Sequence, residues 1–306
     1  SGRRIDFDLK NTLAAQAVYF CERRGEGDYL ELGSVNFMSR LKEAAAEQIL
    51  IYLHGFSNLP EKHIFPDVQR LQALFDYAQP GLVEVVPLIW PCDDDFGIIK
   101  DYWDDQKAAD ASAYAFSRVM EKFLGWRGRP ENEMAPCLKR INILAHSMGN
   151  RVLRETLNVW GRYDRGGVVP LLFRNVFMVA ADIVNESLQR GGHGAYITMS
   201  ARNVAVYYAS DDLALRASKV SNLKNKVASR RLGHTGPEDM RTVPRNVYAI
   251  DCDEVNTKYD SLVGHTYFYT DESGRAPGVV FQHIFDAVRS GRVNVDDPDR
   301  RTHILR

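Results

Sequence analysis

Short apolar runs of strand length recur along this chain, and longer stretches with helical spacing of apolar residues separate them. Ile49–Leu53, Val83–Ile89, Ile141–Ala145, Val176–Ala180, Val204–Tyr208 and Val247–Ile250 are dominated by aliphatic and aromatic side chains. That composition suits parallel strands covered on both faces. The intervening pattern predicts helices over Pro66–Tyr77, Asp105–Phe123, Met148–Trp160, Leu213–Asn222 and Gly278–Arg289. Strand followed by helix, repeated almost to the end, predicts an α/β fold: a mainly parallel central sheet with helices on both faces. Nearer the N-terminus, Ala14–Cys21 and Tyr29–Phe37 alternate more strictly and are separated by the turn-like Arg24–Asp28. They are expected to form antiparallel edge strands.

No repeat, low-complexity tract or Gly/Ser linker divides the 306 residues, so a single domain over 1–306 is expected. Two stretches break the alternation. Cys92–Asp104 is rich in Asp and aromatics, and Leu223–Arg245 carries more Lys and Arg than acid. Loops of this length usually serve a site, and these are expected to shape a pocket.

Composition narrows the function classes. A 45% hydrophobic, 26% charged chain with formal net charge −1 is an ordinary globular protein. It has no global field to draw nucleic acid or an anionic membrane. Cys21, Cys92, Cys137 and Cys252 are scattered without a C-x-x-C pair, which predicts reduced thiols and argues against a zinc cluster or disulfide scaffold. No apolar run approaches the ~20 residues that cross a bilayer, and the basic opening SGRRIDFDLK leads into no signal-peptide core. A cytoplasmic location is expected, with a trimmed export signal left open; the oligomeric state is not legible.

The richest chemistry lies in residues 140–151, RINILAHSMGNR. An apolar strand stops at Ala145-His146-Ser147-Met148-Gly149 and a helical pattern begins. Small residues two positions either side of Ser147 suit the tight turn of a nucleophile elbow, the G-x-S-x-G pattern with Ala145 in the first slot. A serine hydroxyl needs an imidazole to take its proton and a carboxylate to fix that imidazole's tautomer. Downstream of such an elbow the acid comes first and the base second, on loops that leave later strands.

Among His193, His234, His265, His283 and His303, only His265 lies in a loop after the last expected strand, beside Gly264. For the acid, Asp212 follows strand Val204–Tyr208, with Asp182 and Asp211 as alternatives. Asp211 or Asp212 could instead cap the helix that begins there. The oxyanion hole is expected from the backbone N–H groups of Met148 and Phe56, the latter in the strand-then-His-Gly turn Leu53-His54-Gly55-Phe56. His54 is expected to buttress that turn.

These residues resemble the α/β-hydrolase superfamily, and within it a group of largely uncharacterised bacterial hydrolases of unknown function. The resemblance runs from about Gln48 to the final helix. It rests on LHGF at 53–56, Trp90-Pro91, the Tyr102, Asp105 and Ala109 pattern, and AHSMGNRVL at 145–153. Further matches are Tyr208-Ala209-Ser210 with Asp212-Leu213-Ala214-Leu215, Arg231-Leu232-Gly233, and Gly264-His265-Thr266-Tyr267-Phe268. It favours Asp212 as acid, because the family places its acid just before x-A-L. The family usually has Ser where Cys92 stands and spaces the first serine of the acid motif further from its Asp.

The resemblance implies an α/β-hydrolase fold and a serine hydrolase acting on a small-molecule or lipid ester, or a thioester, through an acyl-enzyme. No metal or organic cofactor is expected. An acyltransferase using the same triad, or a catalytically silent interaction module, are the alternatives.

Overall fold

The computed structural model describes residues 2–9, 11, 13–92, 98–216 and 230–306. At the N-terminus β1 (Arg3–Ile5), β2 (Cys21–Gly25) and β3 (Asp28–Glu31) form a separate antiparallel sheet of order β1-β3-β2. Antiparallel pairing is therefore present near the expected place, but the strands lie elsewhere. Residues 14–20 have no regular structure, and the expected strand Tyr29–Phe37 gives way to α1 (Gly33–Glu43). Gly33 takes φ +71°, which ends the strand. Val35 and Met38 are then spaced for a helix and pack with Trp126. Tertiary packing there overrides the alternating pattern.

The central sheet is parallel. It contains β4 (Gln48–Leu53), β5 (Val83–Leu88), β6 (Arg140–His146), β7 (Phe173–Val179), β8 (Ala201–Tyr208), β9 (Val247–Asp251) and β10 (Thr302–Ile304). Their spatial order is β10-β9-β8-β7-β6-β4-β5. β10 was not legible: it is three residues long, has a single aliphatic residue, and owes its place to pairing Thr302 with Ala249 and Ile304 with Asp251.

Helices α2 (Phe65–Ala78), α3 (Ile98–Arg127), α4 (Pro130–Met134), α5 (Gly149–Val159), α6 (Ala195–Ser200), α7 (Leu232–Thr235), α8 (Asn256–Tyr259) and α9 (Val279–Ser290) complete the layers. Leu50, Leu144, Phe177 and Tyr207 of the strands pack with Phe75 of α2 and Phe281 of α9 on one face. Ile143, Val176 and Val206 pack with Phe116 of α3 and Leu153 of α5 on the other.

The expected helix Leu213–Asn222 is helical over 213–216, and its remainder lies outside the described residues. Both expected loops contain helix: α3 begins at Ile98 and α7 lies at Leu232–Thr235, while 93–97 and 223–229 lie outside the described residues.

A row of buried amides crosses the sheet where aliphatic residues would be expected. Asn203 Nδ2 donates to Asn175 Oδ1 at 2.8 Å, Asn175 Nδ2 to Asn142 Oδ1 at 2.8 Å, and Asn142 Nδ2 to Gln48 Oε1 at 3.1 Å. The same amides also donate to the carbonyls of Gly291, Ala287 and Val288. The row thus adds donors at the end of α9, where the Ala287 carbonyl also accepts the capping Gly291 N–H, and pins that end to the strands. Asn175→Ala should therefore lower unfolding free energy by about 2–4 kcal/mol, from lost volume plus stranded amide groups. Chemical denaturation measures it, and a change under ~0.5 kcal/mol would contradict a cooperative row.

Candidate active site

Ser147 sits between β6 and α5 with φ +52°, a left-handed conformation that costs a non-glycine residue free energy and persists only where its surroundings impose it. Those surroundings are visible. The Ser147 N–H donates to the Val179 carbonyl at 3.0 Å, and its carbonyl accepts from Asn150 at 3.1 Å and Asp182 at 3.2 Å. A side-chain carbon on Gly149 would come within 2.5 Å of the Leu53 carbonyl oxygen and 2.6 Å of that of His54. Only glycine lets α5 start this close to the end of β4.

The turn after β4 also runs against the elbow. A carbon added to Gly55 would meet Ser147 Cβ at 3.2 Å and His146 Nδ1 at 3.3 Å. Phe56 follows Gly55 directly, and Met148 stands immediately before the head of α5, where N–H groups lack intrahelical acceptors. His54 is fully buried, and its ring nitrogens are engaged: Nδ1–H donates to the Gly55 carbonyl at 2.8 Å, and Nε2 accepts the Trp90 N–H at 3.2 Å. It stacks on Trp90 with planes 4° apart, and burial pushes its pKa down to about 4. Such an imidazole stays neutral and holds the turn. Cys92 donates its thiol to the Asn58 carbonyl at 3.1 Å and accepts the Asn58 N–H at 3.3 Å.

Two distant loops bring in an imidazole and a carboxylate. His265 Nδ1–H donates to Asp212 Oδ2 at 2.7 Å, with Asp212 wholly buried. His265 Nε2 is buried and has no hydrogen-bond partner among the described residues. Asp212 has a second role at once, because its Oδ1 accepts the Leu215 N–H at 3.0 Å. The catalytic and helix-capping readings of this residue are compatible. Asp211 instead accepts from Asn256 Nδ2 at 2.6 Å.

Asp182 faces Arg231 Nε at 3.1 Å in a buried ion pair. Gly233 lets the Arg231-Leu232-Gly233 strip lie on the turn after β7: the Gly233 N–H donates to the Ala181 carbonyl, and an added carbon would come within 2.1 Å of the Ala181 nitrogen.

The supports of His265 were not read from the sequence. His146 Nε2–H donates to the His265 carbonyl at 3.1 Å, and its ring lies 4.7 Å from that of His265. Burial holds the His146 pKa well below its ordinary value, so this contact is with a neutral ring. Asp260 accepts the N–H groups of His265 and Thr266 at 2.7 and 2.8 Å, and Asn256 donates to the Gly264 carbonyl at 3.2 Å. Gly264 takes φ +66° and leaves no room for a side chain beside Asn256. None of these positions forms a pattern with its partner along the chain; only the adjacency of His146 to Ser147 was a signal.

The other histidines are occupied away from the elbow. His193 meets Glu155 at 2.9 Å, His283 meets Tyr207 Oη at 2.8 Å, and His303 meets Asp296 at 3.0 Å. His234 lies within α7.

Burial alone would lower the His265 pKa, but the Asp212 carboxylate outweighs it and leaves the group above its ordinary 6.5. The pair thus contributes stability that is complete below pH 6.5 and is lost as pH rises through the folded-state pKa. If His265 acts as a general base it must be neutral to do so, and turnover should then rise through that same window. Profiles of kcat/KM and of Tm against pH should run in opposite directions there. An activity inflection well below 6.5 would contradict the pairing seen.

Comparison with known families matches residues 33–275 to the one described as alpha/beta hydrolase of unknown function (DUF900). Comparison with curated proteins gives no match. Among solved structures, esterase PE8 is 12% identical, with 61% of this chain and 81% of that chain covered and a TM-score of 0.31. Phospholipase PlaB from Legionella pneumophila in complex with thio-NAD is 14% identical over 72% of this chain and 40% of that chain, at TM-score 0.29. A thermostable esterase from Pseudomonas putida ECU1011 is 11% identical over 69% and 56%, at TM-score 0.32. The chain spans less than two thirds of the length of the last two, and likenesses this distant carry no functional argument. The family match is of another order: it covers well over half of the chain and takes in β4, the elbow, Asp212 and His265. The chain belongs to the alpha/beta hydrolase family of unknown function designated DUF900.

Proposed function

We propose that the protein is a serine hydrolase that cleaves a carboxylic ester or thioester, with Ser147 as nucleophile, His265 as base and Asp212 as the acid that orients it. The observation that carries this reading is the 2.7 Å bond from His265 Nδ1 to buried Asp212, which fixes the tautomer whose Nε2 accepts a proton. In the proposed reaction Nε2 takes the Ser147 Oγ proton as Oγ bonds to the carbonyl carbon. The oxyanion is held by the N–H groups of Met148 and Phe56. Collapse breaks the bond to the leaving alcohol or thiol, which departs with the proton from His265. Water, deprotonated by the same imidazole, then bonds to the acyl carbon; the bond to Oγ breaks, Oγ recovers the proton from His265, and the acid is freed.

A fluorophosphonate probe tests the reading, because it labels only a serine that a neighbouring base activates. Labelling should fall on Ser147 and disappear in His265→Ala. A folded protein that resists the probe, or carries the label elsewhere, would overturn the assignment.

A further inference from the structure

The central sheet is incompletely covered on one face. Leu50 and Tyr52 of β4 are sealed beneath α2 and α9, at 0% and 1% exposed. Yet Ile51 of β4, Val86 and Leu88 of β5 and Ile141 of β6 are only partly buried. A parallel sheet normally has both faces packed. Here the missing packing is a cavity of about 790 Å³ between those strands, the apolar side of α3, and the irregular segment that links β1 to β2. Phe116, Val119 and Phe123 of α3 form one wall, and Leu9, Val18 and Phe20 from the stretch between β1 and β2 form another.

The cavity has a direction. Asn58, Trp90 and Cys92 line it at the carboxyl ends of β4 and β5, and Phe173, Arg174 and Arg202 line it at the opposite ends of β7 and β8. It therefore extends along the strands for ~20 Å at the usual rise per residue. Ser147, Met148, Phe56 and His265 do not line it; it comes toward the elbow at Asn58, whose Nδ2 lies 3.6 Å from the carbon position on Gly55 that also touches Ser147 Cβ at 3.2 Å.

We propose that this cavity is an acyl-chain tunnel and that the substrate is an ester of a long, unbranched fatty acid. The inference rests on the reading of Ser147 as nucleophile and adds the substrate class to it. A hydrocarbon chain fits the apolar stretch between Ile51, Val86, Leu88, Phe116 and Val119, where a peptide or sugar would leave its own polar groups unsatisfied, while the charged lining residues such as Lys139, Arg174 and Arg202 stand elsewhere around the cavity. The chain would lie between α3 and the sheet with its carbonyl emerging at the Asn58 end, from which it would reach Ser147 past Gly55.

Two independent readouts test it. First, kcat/KM for p-nitrophenyl butyrate, laurate and palmitate should rise with chain length in the wild-type enzyme. Val119→Trp and Ile51→Trp, which fill the tunnel, should each lower the palmitate-to-butyrate ratio by at least ~10-fold, the equivalent of about two methylenes kept out of the apolar site. Second, the fluorescent fatty acid cis-parinarate should bind Ser147→Ala protein, be displaced by palmitate, and bind far more weakly once either tryptophan is added to that background.

A wild-type preference for butyrate together with no parinarate binding overturns the tunnel. So does unchanged long-chain preference in tryptophan variants that melt like wild type. If neither tryptophan variant folds, the wild-type chain-length profile and binding to Ser147→Ala still decide. Tight parinarate binding by a protein that turns over no ester keeps the tunnel and removes the reading of Ser147 instead.

Discussion

Ser147→Ala should reduce ester turnover by at least ~10³-fold and leave the melting transition close to that of wild type. The two halves of this expectation come from different atoms of one residue. The backbone of Ser147 ties the elbow to Val179, Asn150 and Asp182, and alanine keeps every one of those bonds. Alanine also bears the same φ of +52° at a similar cost. Only Oγ is removed, and with it the atom that would bond to the acyl group. Residual hydrolysis would come from the oxyanion donors and from substrate binding alone. His265→Ala should match the loss, since its backbone contacts with His146 and Asp260 do not use the imidazole. Turnover within ~10-fold of wild type by a folded Ser147→Ala protein would mean that the elbow holds a serine without using it.

What the sequence disclosed about this site, and what it concealed, follows from how local each signal is. The elbow was legible because a strand end, a sharp turn and a helix start occupy consecutive residues. Gly149 is required by contact with β4, yet it announces itself beside Ser147. Asp212 and His265 could be sought because each follows a strand whose apolar run was visible, and their separation by 53 residues did not matter to that search. Their supports had no such marker. Asp260, Asn256 and His146 converge on the His265 loop through the fold, and polar residues in loops look alike until their partners are known.

The same limit applied to structure. Six central strands carried enough Val, Ile and Leu to stand out, whereas β10 is a tripeptide with a single aliphatic residue, given order by β9. The N-terminal region misled in the opposite direction. An alternating stretch there becomes half strand and half α1 because Gly33 breaks it and Met38 finds Trp126. The buried amides at Asn142, Asn175 and Asn203 went unread for a related reason. Each looks like an imperfection in its own strand, and they make sense only as a row.

Asp212→Asn and Asp182→Asn should fail in different ways, which separates the proposed acid from its nearest competitor. Asparagine at 212 keeps an oxygen for the Leu215 N–H that Oδ1 now accepts. Helix capping survives, and Tm should move little. An amide NH2 in place of Oδ2, however, cannot accept from His265 Nδ1, so the imidazole is released from the tautomer that presents a basic Nε2. Loss of ~10³–10⁴-fold in kcat is expected.

Asp182 faces the buried guanidinium of Arg231 at 3.1 Å. Its replacement by Asn leaves a cation in the interior without its counter-charge, a change that costs about 3–5 kcal/mol of stability. Turnover per folded molecule should stay within an order of magnitude. Because Asp182 is also among the charges that raise the His265 pKa, the activity profile of Asp182→Asn should shift toward lower pH. Denaturation curves and active-site titration of the same two preparations settle the matter. If Asp182→Asn proves stable but inactive while Asp212→Asn turns over normally, the acid lies after β7, and Asp212 is left with helix capping alone.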